Sequence, residues 1–228
     1  MITAHTLQFL TDLHLNNNTP WFHANRPRYE QAKHELTQLI VALIGQIATF
    51  DAPIAQLLPK DCTFRINRDI RFSANKSPYK NNLGAYFVAG GKKSPKAGYY
   101  LHIEPNNQSF FGGGLYQPDP RRLAAVRQEI DYHTTEFTEL LANTDFVNYF
   151  GQLSGDRLKT PPKGYPKDHP AVELLKYKDF TMFCRITDEQ LLAGNFVEHC
   201  VRVFKAMKPI NDFLNHAIEG VGEDLTNQ

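Results

Sequence analysis

Cysteine is scarce in this chain, with three residues in 228 (Cys62, Cys184 and Cys200), an odd number scattered without metal-ligand spacing. That excludes a disulfide framework and fits a reducing cytoplasm, where such thiols serve as small core or boundary side chains. Long apolar runs are missing too. The longest, Leu39 to Ile44, stops at Gly45-Gln46, far short of the ~20 residues that span a bilayer, so no membrane partner is expected. Met1 to His5 lack a basic region followed by an apolar one, and no signal peptide is expected there. Several familiar motifs are also absent. Gly112-Gly113-Gly114 lacks the Gly-Lys-Ser/Thr ending of a P-loop, and no Gly-x-Ser-x-Gly elbow or zinc-protease spacing occurs. Those glycines read as a bulge or a close backbone contact, with a phosphate cradle as the alternative.

Net charge is nearly absent as well, at +1. The total hides an asymmetry. From Lys60 to His102 there are nine basic residues and two acids, 9 − 2 = +7, which leaves 1 − 7 = −6 for the rest. Such a split marks an anion-facing surface for nucleic acid, phosphate or an acidic partner. Equally, acidic helices can neutralise basic strands inside one fold. Both readings stand at this point.

What is present is an ordinary globular composition, 42% hydrophobic and 21% charged, ample for a core. Residues 3–50 read helical: Leu7, Leu10 and Leu13 mark a short amphipathic helix, and Thr19-Pro20 starts another. After Asn25 and Pro27, apolar residues from Tyr29 to Ile47 recur every three or four positions, the mark of a long helix. Trp21 and Phe22 read as structural anchors for its start. Residues 62–117 read as antiparallel β, with strands at Phe64–Phe72, Leu83–Val88, Tyr99–Glu104 and Ser109–Leu115. Residues 119–220 return to helices. Asp119-Pro120 opens one that breaks near Tyr132-His133-Thr134, Thr160–Pro170 is a stiff loop, and Phe180–Thr187 is one further strand. Two closing helices are expected around Phe196–Met207 and Pro209–Ile218, with disorder confined to the last few residues. The expectation is one α+β domain over residues 1–228, its helices packed against a mixed or mainly antiparallel sheet.

The densest chemistry lies in residues 65–79, where Arg65, Arg68, Arg71 and Lys76 crowd around a single acid, Asp69. Like charges so close repel unless something anionic answers them. The stretch Arg65-x-x-Arg68-Asp69-x-Arg71-Phe72-x-x-Asn75-Lys76-x-x-Tyr79 resembles the signature of an uncharacterised family of roughly this length, found in bacteria with related regions in fungi. Asn16-Asn17-Asn18-x-x-Trp21-Phe22-x-x-Asn25, Tyr100 to Pro105, Phe111 to Tyr116, and Gly164-Tyr165-Pro166-x-Asp168-His169-Pro170 are similar to its other landmarks. The resemblance covers most of the chain and implies a domain of unknown function, with no activity, cofactor or partner attached.

Strand periodicity sorts the signature. Phe64, Ile66, Ile70 and Phe72 would point one way, and Arg65, Asn67, Asp69 and Arg71 the other. Arg68 then falls on the apolar side and needs an acid from a neighbouring helix, a structural role. On the next polar face Tyr100, His102 and Glu104 come together. Arg65, Arg71, Lys76, Tyr79 and Lys80 are the candidate ligand-binding residues, because guanidinium forks suit carboxylates and phosphates while lysines add mobile charge. Asp69, His102 and Glu104 are the acid–base candidates. A metal needs a third ligand beside His102-x-Glu104, from Asp69 or His169, and none is assigned. No motif specifies a cofactor. Three functions follow: a protein, possibly an enzyme, binding a small anionic ligand in an arginine-lined cleft; a nucleic-acid module using the basic 60–102 segment; or an interaction domain whose arginines are internal salt bridges.

Overall fold

The computed structural model describes residues 1–222, and the disorder expected at the chain's last few positions lies outside them. Their order of elements is helices, a sheet, then helices with a late strand. Helices α1 (Ala4–Leu15), α2 (Thr19–Ala24) and α3 (Arg26–Ile47) lead through a 3-10 turn at Ala52–Gln56 to the short α4 (Pro59–Cys62). Strands β1 (Leu83–Phe87), β2 (Gly98–Ile103) and β3 (Ser109–Leu115) follow. Then come α5 (Pro120–Tyr132), α6 (Thr134–Ala142), α7 (Thr144–Phe150) and α8 (Val172–Leu175), β4 (Phe180–Ile186), α9 (Asp188–Leu192) and α10 (Phe196–Ala217). The strands make one antiparallel sheet in the order β1-β2-β3-β4, and the class is α+β. Among the described residues no helix is long and apolar enough to cross a membrane.

The chain divides into two compact units. One comprises Met1–Ser94, Tyr99–Gly112 and Cys184–Phe204; the other comprises Pro95–Gly98, Gly113–Phe183 and Lys205–Gln228. In the first, α1 packs on α3 through the apolar stripes that the sequence spells out. Leu10 and Leu13 on α1, and Leu39, Ile40 and Leu43 on α3, are buried. β1 and β2 pair with Leu83 opposite Ile103 and Phe87 opposite Tyr99. Alternation on β2 buries Tyr99, Leu101 and Ile103, while Tyr100 and His102 stay half-buried on the opposite face. Tyr99 meets Phe204 at 5.3 Å, and Phe111 meets it at 5.5 Å, so aromatic rings fill the inner side. The β2–β3 turn places Asn106 and Asn107 at φ of 65° and 59°, the left-handed geometry of tight hairpins. The carboxylate of Asp188 accepts both of their N–H groups, at 2.9 and 3.0 Å, and so holds the turn.

In the second unit Asp119 caps α5, accepting from the N–H groups of Arg121 and Arg122. Phe137 meets Phe213 at 4.6 Å and Phe180 edge-on at 6.4 Å. Arg127 is half-buried, and among the described residues no carboxylate pairs with it. It donates instead to the carbonyls of Leu175 (2.8 Å) and Tyr177 (3.0 Å), and burial pushes its pKa down. The Thr160–Pro170 stretch is irregular, as four prolines require, and His169 ties it down. Its Nδ1 accepts from the Ala171 N–H at 3.0 Å, so its Nε2–H donates to Asp131, 2.8 Å away on α5.

Two expectations are corrected. Phe64–Phe72 is not a strand: it makes only isolated bridges, Thr63 with Ala85 and Asn67 with Tyr79, and Phe64 and Phe72 are exposed. The segment folds back on itself because Arg68 N–H donates to the Pro78 carbonyl and Lys80 N–H to that of Ile66. The closing helices are one, α10, with Pro209 inside it. A proline there removes a ladder donor and costs ~3 kcal/mol. The buried residues Phe204, Met207, Ile210, Phe213 and Leu214 keep helical spacing straight through it, and their burial outweighs the break.

Candidate functional site

The polar face of β2 carries the most organised chemistry of the first unit. Tyr100 Oη lies 3.1 Å from His102 Nδ1, and His102 Nε2 lies 2.8 Å from Glu104 Oε2. Tyr100 and His102 on β2, and Glu104 directly after its end, can do this because the period of two keeps alternate residues on one side. Burial, followed by the charge of Glu104, pushes the Tyr100 phenol up to about 12. Tyr100 therefore keeps its proton at neutral pH and donates to Nδ1. The proton on His102 then sits on Nε2 and points at Glu104. The relay has a direction.

Its neighbours hold that geometry. Phe110 stacks on the His102 ring at 4.5 Å and 16°, and Phe64 meets Tyr100 edge-on at 6.2 Å. Gly84, opposite His102 on β1, leaves space for the phenol: a Cβ there would come within 2.7 Å of Tyr100 Oη. Asn81 donates from Nδ2 to Glu104 Oε1 at 2.8 Å and reaches His14 Nδ1 at 3.2 Å, linking the relay to the end of α1.

Lys80 adds the charge. Its ammonium lies 5.5 Å from the Phe64 ring centroid, the same ring that abuts Tyr100. Burial lowers its pKa, and the positive charge of Arg65 lowers it further. No ion pair of Lys80 or Arg65 occurs among the described residues. Asp69, the nearest acid of the motif, is engaged elsewhere. Its carboxylate takes a two-pronged bond from Arg71, 3.0 Å to Nε and 2.7 Å to Nη2, at the exposed surface. That bond, with the Arg71 N–H and then Arg65, holds the Asp69 carboxyl below its ordinary range.

The other signature residues build the hairpin. Among the described residues Arg68 has no acid partner, contrary to the sequence expectation. Because the segment is not a strand, its guanidinium lies within the loop, donating to the Ser77 carbonyl (3.0 Å) and to Ser73 Oγ (3.3 Å). Lys76 Nζ donates to the Ile70 carbonyl at 3.0 Å. Tyr79 is buried, its ring stacked 4.0 Å from Phe22. Asn17 clamps its backbone, Nδ2 donating to the Tyr79 carbonyl and Oδ1 accepting its N–H. Trp21 packs on Phe9 at 6.2 Å and Phe22 on Tyr29 at 5.1 Å. Among the described residues no three His, Cys, Asp or Glu side chains are grouped to hold a metal.

His102 and Glu104 thus meet, joined by Tyr100, whereas Asp69 and Arg71 pair with each other on the hairpin. Sequence reading gave no role to Asn81, His14 or Phe110, and it marked Asn17 only as part of the Asn16-Asn17-Asn18 landmark. For the first three, alternation on β3 was the only signal available, and it covered only Phe110.

No curated protein and no solved structure matches the chain. A family described as Conserved hypothetical protein (DUF2461) matches residues 5–213, nearly the whole length, and the chain therefore belongs to that family.

Proposed function

We propose that this protein binds a small anionic ligand, bearing phosphate or carboxylate, beside the polar face of β2. Lys80 and Arg65 supply the charge, and Tyr100, His102 and Glu104 supply a directed proton relay. One observation carries the reading: Lys80, half-buried against the Phe64 ring that abuts Tyr100 and repelled by the charge of Arg65, makes no ion pair among the described residues, next to a hydrogen-bonded Tyr-His-Glu chain. Uncompensated like charges are destabilising by themselves and are relieved by an anion. Arg68, Arg71 and Lys76 are left outside the ligand site because the hairpin already uses them. The relay allows acid–base chemistry on the bound anion, with His102 accepting a proton through Nδ1 while Glu104 stabilises the imidazolium. We place the activity in the cytoplasm, where three free thiols stay reduced.

A thermal-shift screen against phosphate, nucleotides, sugar phosphates and dicarboxylates tests this. A ligand at 100 times its Kd adds about 2.7 kcal/mol, a rise of roughly 5–10 °C for a chain of this size. The rise is expected to vanish in Lys80→Met/Arg65→Met while the unliganded melting temperature holds or rises, since two repelling charges are gone. A screen with no responding anion overturns the proposal. Gly84→Ala separates relay from charge. It pushes the Tyr100 hydroxyl away from His102, so anion binding persists while its pH profile changes.

A further inference from the structure

We infer that the 65–80 hairpin is also a docking surface for single-stranded nucleic acid, with Phe72 as its stacking platform. This surface shares Arg65 and Lys80 with the small-ligand site, but its platform, Phe72, lies outside that site and the inference does not rest on it. Phe72 is 96% exposed, more than any other large apolar side chain among the described residues. Nor does it hang on a slack loop. The stem is pinned by Arg68 N–H to the Pro78 carbonyl and Lys80 N–H to the Ile66 carbonyl, at 2.9 and 2.8 Å. The tip is pinned by Lys76 Nζ on the Ile70 carbonyl and by the Ser77 N–H on Asn75 Oδ1. Arg71, held by Asp69, sits with its guanidinium carbon 5.8 Å from the Phe72 ring centroid, so a planar cation and an aromatic face are set side by side.

Charge complementarity names the occupant. Residues 65–80 hold five bases (Arg65, Arg68, Arg71, Lys76 and Lys80) and one acid, 5 − 1 = +4. A ring presented to solvent among cations is what an unpaired base with its phosphate requires: the ring stacks on the base while the cations meet the backbone. A bilayer would want several exposed apolar side chains at the tip, and among the described residues of 65–80 Phe72 is the only large one that is exposed.

Fluorescence anisotropy with a labelled oligothymidylate tests the inference on the intact chain, with phosphatidylcholine–phosphatidylserine vesicles as a second arm. The wild type is expected to bind the oligonucleotide. Phe72→Ala should weaken it roughly tenfold and Phe72→Trp should preserve it, because stacking tolerates any large aromatic face. With about three phosphates met, a fourfold rise in salt should cost roughly 20-fold, in Phe72→Ala as in the wild type. Absence of binding, equal binding by Phe72→Ala, or capture by vesicles in place of the oligonucleotide would each overturn it.

Discussion

Gly114→Ala is expected to destabilise the protein by about 4 kcal/mol, from left-handed strain of ~1–2 and overpacking of ~1–3. Gly114 sits at φ +92°, and a Cβ on it would run into the Phe180 carbonyl and come within 3.1 Å of Thr181 Cα. Both obstacles are backbone of β4, which cannot swing aside as a side chain would. The melting temperature should fall by roughly 8–16 °C. Gly112→Ala is the internal control. Its Cβ would find only ordinary contacts, the nearest 3.5 Å away at Tyr100 Cδ1, so a change within about 0.5 kcal/mol is expected. Equal melting temperatures for the two variants would show that β4 has room to retreat.

Glu35→Ala should cost about 3 kcal/mol, because a buried carboxylate that organises several donors is lost and those donors are left unpaired. Glu35 lies on α3, only 6% exposed, and reaches the start of α1. It accepts from Thr3 N–H at 2.9 Å, Thr3 Oγ at 3.0 Å and Thr6 Oγ at 2.7 Å, with Gln31 at 3.3 Å. Burial works to raise its pKa, but bonds from Thr6, Thr3 and Gln31 outweigh it and the net shift is downward from 4.5. The sign follows from linkage. Below 4.5 the unfolded carboxylate takes up a proton that the folded one resists. Its stabilisation is therefore complete above that pH and is lost as pH falls through the lower folded value. Urea melts along an acid series should show a steep limb in the wild type and a shallower one in Glu35→Gln. Parallel limbs would mean that the Thr3 and Thr6 bonds are as strong to a neutral group.

Local pattern determined a good part of this protein. The period of β2 put Tyr100, His102 and Glu104 on one face before any coordinates, because side chains on a strand alternate whatever lies beyond it. The stripe from Ala32 to Ile47 and the Asp119-Pro120 start marked α3 and α5 for the same reason: spacing and capping act within a few residues. The residue order showed where the basic side chains gather between positions 65 and 80, and membership of an uncharacterised family was legible in the chain as a whole.

Tertiary structure decided the rest. Residues 64–72 alternate like a strand yet do not form one, since a strand needs a partner edge and this segment pairs with its own continuation near Pro78 and Tyr79. With that fold-back, Arg68 turned to the Ser77 carbonyl and the Ser73 hydroxyl instead of an acid, and Phe72 was left in water. Asn17 holding Tyr79 across 62 residues, and Asn81 holding Glu104 across 23, leave no periodic trace. Pro209 reads as a helix end by local rules and lies inside α10 because burial on both sides of it is worth more than one backbone bond.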